Sequence, residues 1–528
     1  MIATHRVKDS SNNTVGFIVN GVFYNDHIVK QNMSCIDNLS ILKNGVIKAK
    51  KTIPDVQYKN AVTRKQYNEI KKKNPFDRDI ANELKRWKIN NTNGSILQVK
   101  GTRQIGKTSE ILKFAYSNYD CVIYVDLSKD KTNFEAYMQT NKIRLELYKY
   151  CIRFNLPTFD DSRNTVIIID EIQDNVRVFN SLRTLRSELK CDIIIAGSYL
   201  GTLTSSFTKE SQEKVFIPMG TIKPITMFSM SFREFCRAFG AEELLMSIDI
   251  HGKSDDKQYN RLKMLYDLYC SIGGYPAVVA KYKDTQNIRE CCDVISKLLS
   301  MFQQESLRYF KDSKLPTVFD LVFAYAVIEM SREKRGNDKE FIADLTDFIN
   351  TGSKTFLSGD EVSQAVTWLI QCNMLNACSM RNGNNFSNKW LNSRMYFMDC
   401  GIASYIMNSM ALGESEKRDM LTETFVFCEL NRLLYENIHN RKVKKSLCFS
   451  IDDRCELDFM FVGSGGDIDN VVFGIEIKSG RGSHDTLTAY IESEIIDKDI
   501  FAELDHGRCG KNFDTIPVYI VGARFPYR

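Results

Sequence analysis

The chain has 528 residues, 43% of them hydrophobic and 26% charged, with 71 Lys and Arg against 66 Asp and Glu for a formal charge of +5. That length exceeds one hydrophobic core and predicts three or more domains. So mild a charge excludes a nucleic-acid role argued from overall basicity and leaves only local basic surface.

The 15 cysteines are scattered, with no C-x-x-C pair and no zinc-like Cys/His cluster. They read as free thiols in a reducing compartment, the adjacent Cys291 and Cys292 on a helix. No apolar run approaches the roughly 20 residues that cross a bilayer, so the expectation is a soluble, cytoplasmic protein with no membrane partner.

In chain order, residues 16–19 and 22–24 predict a hairpin about the Asn20-Gly21 turn. The Lys-rich stretch at 68–75 reads as a solvated helix end closing an accessory segment, residues 1–75. Residues 101–108 then read Gly-Thr-Arg-Gln-Ile-Gly-Lys-Thr, a complete G-x-x-x-x-G-K-S/T loop. Gly101 and Gly106 allow backbone N–H groups to turn inward around phosphates. Lys107 reaches the β- and γ-phosphates, and Thr108 places its hydroxyl on Mg²⁺. Thr102, Arg103, Gln104, Ile105 and Ser109 complete the nucleotide-contacting stretch. A β-rich run at 95–99 precedes the loop. An amphipathic helix follows at 108–119, with Ile111, Leu112, Phe114 and Ala115 on one side.

Further core strands are predicted at 121–126, 166–169 and 191–196. The second ends in Asp170-Glu171. Asp170 is placed to hold the metal, and Glu171 to orient or deprotonate the attacking water. The third runs into Ser198, placed to sense the γ-phosphate from a neighbouring strand. Strands alternating with helices predict an α/β fold, a parallel sheet covered on both faces. No N-K-x-D is present, so ATP is expected rather than GTP. The absence of H-R-D and D-F-G excludes a protein kinase.

The chain resembles the bacterial and archaeal AAA-type P-loop ATPases that carry a C-terminal restriction-endonuclease-like domain. The resemblance rests on the phosphate loop, on Asp170-Glu171-Ile172-Gln173 and on Ala196-Gly197-Ser198. It extends to Met230-Ser231-Phe232-Arg233-Glu234-Phe235 and Gly273-Gly274-Tyr275-Pro276. It covers residues 80–480 and implies ATP and Mg²⁺ binding, hydrolysis, and a helical lid after the sheet. In such enzymes an arginine completes the site, sometimes from a neighbouring subunit, so oligomers are possible. Arg233 matches the motif and is the candidate, with a packing role as its alternative. Gly274 and Pro276 read as a turn between the lid and the next domain. The expected boundaries are an ATPase core at 76–222 and a lid at 223–305.

Residues 306–410 predict helices followed by a hairpin. One helix at 358–369 has Ser358 as its N-cap and Val362, Ala365, Val366 and Leu369 on one face. After a turn at Cys372-Asn373 come strands at 374–375 and 395–397. This is the outline of a winged helix, which the family carries here. DNA is a possible partner, although no dense basic cluster marks a recognition helix.

In residues 411–528, strands at 456–462 and 471–478 present Asp458, Glu476 and Lys478 as D…E-x-K. Asp458 and Glu476 could share a divalent metal, with Lys478 steering a water, and Glu423 or Glu429 could complete the site. The pattern resembles the restriction-endonuclease-like fold, with a degenerate, inactive relic as the alternative. The leading expectation is therefore a Mg²⁺-dependent ATPase. The alternatives are a nucleotide-gated binding switch with little turnover and an ATP-controlled DNA nuclease.

Overall fold

Runs such as Val166-Ile167-Ile168-Ile169 can bury alternate side chains on both faces only in a sheet covered by helices on each side. That is their arrangement in the computed structural model of the chain. The structure describes residues 61–528 apart from positions 93, 139–141, 155, 198–219, 249–253, 308–317, 332–339, 353–355, 383–384, 387–392, 411, 439–446, 452–454, 466–467, 479–484, 504–505, 510–513 and 525–528. Before residue 61 it describes only the backbone of five strands. The chain divides into two units, Met1–Ala61 and Val62–Arg528. In the first, β1 (His5–Lys8), β2 (Thr14–Val19) and β3 (Val22–Asn25) form an antiparallel sheet, and β4 (Ser40–Ile41) pairs with β5 (Ile47–Lys48). The expected hairpin is β2–β3, with Val19 opposite Val22.

The second unit begins with helices Ala61–Lys73 and Ile80–Asn90. The Lys-rich stretch is the exposed C-terminal turn of the first. The core sheet contains β6 (Ile96–Lys100), β7 (Cys121–Asp126), β8 (Thr165–Asp170), β9 (Asp192–Ala196) and β10 (Ile222–Thr226). Its order is β10-β6-β9-β8-β7 and every pairing is parallel. Val166, Ile168, Ile194 and Ala196 pack toward one core with helix Lys107–Asn118. Ile167, Ile169, Ile193 and Ile195 pack toward another with helices Leu127–Met138, Ile143–Arg153 and Val176–Glu188. The alternation is the period of two that a strand imposes. β10 carries this sheet past residue 222, where the sequence placed the start of the lid.

Helices Phe232–Ala238, Glu242–Met246, Asp256–Ile272, Pro276–Thr285 and Ile288–Ser306 follow. Gly273-Gly274 ends the third and Pro276 opens the fourth, so this motif is a turn between two helices. A Cβ on Gly274 would lie 2.2 Å from the Met230 carbonyl oxygen, so the two backbones touch here. Helices Phe319–Met330, Phe341–Gly352 and Gly359–Gln371 come next, the last with a Ser358–Glu361 capping box.

β11 (Leu375–Asn382), β12 (Asn385–Phe386) and β13 (Arg394–Phe397) precede helices Cys400–Ser409 and Glu414–Ile438. Then come β14 (Cys448–Ile451), β15 (Glu456–Gly465), β16 (Ile468–Lys478), β17 (Lys498–Glu503), β18 (Arg508–Cys509) and β19 (Asp514–Pro517). Because β11 pairs in parallel with β14, one sheet of nine described strands crosses residue 410, the expected boundary. The expected 306–410 module and the last domain thus share a sheet. The described cysteines are free thiols, and Cys291 and Cys292 lie on helix Ile288–Ser306. Among the described residues, no helix is long and apolar enough to cross a membrane.

Candidate functional site

The phosphate loop connects β6 to helix Lys107–Asn118, and its glycines hold conformations that side chains resist. Gly101 has φ 147° and Gly106 has φ 94°. A Cβ on Gly101 would lie 2.2 Å from the Met227 carbonyl oxygen. Lys107 is buried, and its Nζ donates to the carbonyls of Gly101 (2.9 Å) and Thr102 (2.7 Å). Thr108 Oγ1 donates to Asp170 Oδ2 at 2.7 Å, joining the helix start to the end of β8. Tyr124 on β7 donates to the same oxygen at 3.0 Å. The Glu171 backbone N–H donates to Asp170 Oδ1 at 3.0 Å.

Glu171 has φ 51°, a left-handed turn that ends the strand. Its carboxylate accepts the Gln173 amide N–H at Oε2, while Oε1 lies 3.7 Å from Arg103 Nη2. Burial raises the Glu171 carboxyl above the usual carboxylate range. The Gln173 bond and the nearby Arg103 and Lys107 oppose that rise, and Asp170 adds to it. Ser198 lies outside the described residues. β9, which leads toward it, stands between β6 and β8.

The glycine cradle, the buried ammonium and the hydroxyl–carboxylate pair fit a nucleoside triphosphate with Mg²⁺. Arg233 is half-exposed and pairs with Glu242 at 2.9 Å, a partner that Arg237 shares at 2.7 Å. Thr102 Oγ1 contacts the Asn373 carbonyl at 3.4 Å, and Gln104 Nε2 contacts Met301 Sδ at 3.2 Å. The outer edge of the loop therefore meets both helix Ile288–Ser306 and the turn before β11.

Sequence reasoning missed three groups here. Arg78 is buried and donates to the carbonyls of Ile105 (3.0 Å) and Phe228 (2.7 Å), with Glu234 Oε1 3.0 Å from its Nε. Tyr124 carried no motif, and its position on the strand beside β8 was its only signal. Gln173 was quoted within a motif but given no chemistry.

The second candidate cluster lies in the shared sheet. The register Phe459↔Ile475 puts Asp458 opposite Glu476 across β15 and β16. Lys478 Nζ lies 2.5 Å from Glu476 Oε1, and Glu476 Oε2 is buried without a hydrogen-bond partner. Asp458 Oδ2 accepts the Ile477 N–H at 2.7 Å. Burial, with Asp458 nearby, pushes the Glu476 carboxyl up to about 8. Burial also raises Glu423 to about 7, against the pull of Arg394.

Glu423 accepts from the Tyr396 hydroxyl at 3.1 Å. Glu429 is elsewhere. It pairs with Arg432 at 2.5 Å and accepts the Phe232 N–H at 3.2 Å, so of the two helix glutamates only Glu423 joins the cluster. Among the described residues, no group of three or more His, Cys, Asp or Glu stands in metal-binding proximity.

Residues 93–236 match the AAA domain family, and residues 263–413 match a family described as a domain of unknown function. The stretch that carries the phosphate loop and Asp170 is thus similar to an AAA domain. No curated protein matches it. Among solved structures it is similar to the Walker-type ATPase of Pyrococcus abyssi, with 14% identity over 63% of this chain and 96% of that one and a TM-score of 0.38. It is also similar to the Aeropyrum pernix Orc1 protein in complex with DNA, with 11% identity over 63% and 92% and a TM-score of 0.28. A third is the Thermotoga maritima RuvB Holliday junction branch migration motor, with 15% identity over 58% and 88% and a TM-score of 0.24.

Proposed function

We propose that the protein hydrolyses ATP with Mg²⁺ at the loop formed by residues 101–109. The observation that carries this is the 2.7 Å bond from Thr108 to Asp170, with Lys107 and Glu171 beside it. It draws the two halves of a phosphate–metal site together from separate parts of the chain. Lys107 exchanges the carbonyls of Gly101 and Thr102 for phosphate oxygens, so its ammonium is never left without acceptors. Thr108 and Asp170 would hold Mg²⁺, which when bound neutralises charge on the phosphoryl oxygens. Tyr124 and the Glu171 N–H keep the Asp170 carboxylate oriented. Glu171 takes the proton of the attacking water.

The contacts of Thr102 with Asn373 and of Gln104 with Met301 give nucleotide occupancy a route to the lid and to the C-terminal sheet. ATP turnover should be lost in Lys107→Ala together with ATP binding. In Glu171→Gln turnover should be lost while binding is retained. Wild-type turnover by Glu171→Gln would refute the assignment of the base.

A second reading, cleavage of nucleic-acid phosphodiesters, is favoured by the unpartnered Glu476 Oε2 beside Asp458 and Lys478. Mn²⁺-dependent nicking of DNA that survives Glu476→Ala would remove these residues from it.

A further inference from the structure

The strand β8 runs straight to Asp170, and its continuation is a short frame held at both ends. Glu171 turns left-handed, residues Ile172–Asp174 form one 3₁₀ turn, and Asn175 caps the next helix by accepting the Val178 N–H at 3.0 Å. The Asp174 N–H donates to the Glu171 carbonyl at 2.9 Å, and Asn175 Nδ2 donates to Glu135 at 2.8 Å. Within this frame the side chain of Gln173 is buried, and its amide N–H meets Glu171 Oε2. The amide oxygen of Gln173 is buried and has no hydrogen-bond partner.

An amide buried for packing alone costs about 1–3 kcal/mol unless both ends are bonded, and an unbranched apolar side chain would fill the same space without that cost. Here the single bond made goes to the carboxylate beside the phosphate loop. The two Glu171 oxygens are thereby distinguished. Oε2 is tied to the frame, and Oε1 faces Arg103 in the loop at 3.7 Å, a charge contact too long to be a hydrogen bond.

We propose that Gln173 is a positioning residue, whose amide locks Glu171 Oε2 so that Oε1 is the oxygen that receives the proton of the attacking water. The inference rests on the ATPase reading given above. In the step, the water oxygen bonds to the γ-phosphorus and its proton passes to Glu171 Oε1. The bond from the γ-phosphorus to the β–γ bridging oxygen breaks, with its electron pair leaving on ADP. Gln173 makes no contact with the nucleotide in this arrangement and acts through Glu171.

The test is steady-state ATP turnover and equilibrium binding of radiolabelled ATP in full-length Gln173→Met and Gln173→Glu. Gln173→Met keeps the length of the side chain and loses the donor, and Gln173→Glu sets a second carboxyl against Glu171 Oε2. The expected result is a fall in kcat of at least about tenfold, with ATP affinity within about twofold of wild type, because both changes act on the base and leave the phosphate loop intact. A kcat within about twofold of wild type in either folded variant overturns the inference. Loss of ATP binding in both, or failure of both to fold, also overturns it by showing a structural role. If the wild type does not turn over ATP, or Glu171→Gln does so at the wild-type rate, the underlying ATPase reading fails, whatever Gln173 does.

Discussion

Replacing Arg78 by Met isolates the group that ties the segment before the core sheet to the phosphate loop. Arg78 and Glu234 have side chains only 3% and 6% exposed and lie 3.0 Å apart. Removing one partner of a buried pair typically costs about 3–5 kcal/mol, because the other charge stays buried. Glu234 keeps two backbone donors, Asp79 N–H at 2.6 Å and Ser231 N–H at 2.9 Å, which argues for the lower end for the charge itself. The Ile105 and Phe228 carbonyls also lose a charged donor, about 1 kcal/mol each, so a total of about 5 kcal/mol is expected.

Burial pushes the Glu234 carboxyl up, but Arg78 and the backbone donors outweigh it and hold the group below the usual range. A depressed carboxyl contributes stability above its unfolded value of about 4.3 and loses it as pH falls through the folded value. The wild type and Arg78→Met should therefore differ most near neutrality and converge in acid. Urea unfolding at a series of pH values measures both quantities. A loss under about 1 kcal/mol, or an offset that does not change with pH, would refute the reasoning.

Thr108→Val removes the hydroxyl but leaves Asp170 its bonds from Tyr124 and Glu171. The Mg²⁺ concentration for half-maximal turnover should rise about tenfold, or ~1.4 kcal/mol for one lost ligand, and an unchanged titration would exclude Thr108 as a ligand. Glu476 is pushed up to about 8, so its protonated form stabilises the fold fully below about 4.3, and that contribution fades as pH rises through 8. Glu476→Gln should flatten this slope in thermal melts, and identical slopes would count against a buried, proton-holding carboxyl. Gly274→Ala places a methyl against the Met230 carbonyl and should cost about 1–3 kcal/mol in urea unfolding by parting the Met230–Gly274 backbone bond of 2.7 Å. Unchanged stability would show that the contact relaxes freely.

The arrangement of the phosphate loop was legible in the sequence because its residues are local. Glycine at 101 and 106, Lys107 and Thr108 follow one another, and Asp170 ends a run that only a buried strand explains. Strand and helix positions near the loop followed from periods of 2 and 3.6 residues. What stayed hidden is non-local. Arg78 bonds across 27 and 150 residues to two carbonyls, and no spacing encodes a side chain that answers backbone groups. The pairing of β11 with β14 across residue 410 stayed hidden because a turn and a polar gap look the same whether or not the strands on either side later pair. Of Glu423 and Glu429, one helix turn and a half apart, only tertiary packing could say which faces Asp458.

That same packing explains why two motifs without catalytic side chains recur in one place. Met230 N–H donates to the Gly274 carbonyl at 2.7 Å, and its own carbonyl accepts the Tyr269 hydroxyl at 2.6 Å. The Gly274 N–H donates to Asp399 at 2.9 Å, and Asp399 caps helix Cys400–Ser409 through the Gly401 and Ile402 N–H groups. Arg432, from the helix that carries Glu423, reaches Ser229 at 3.1 Å and pairs with Glu429, which accepts the Phe232 N–H. Glycine is required at 273 and 274 because a Cβ at either would strike Asp399 or Met230 within 2.2 Å. The exit from β10, the turn between helices Asp256–Ile272 and Pro276–Thr285, and helices Cys400–Ser409 and Glu414–Ile438 are thus joined through buried polar groups. Met301, which Gln104 contacts, lies on helix Ile288–Ser306, and Asn373, which Thr102 contacts, lies in the turn before β11, so the phosphate loop also touches this part of the chain.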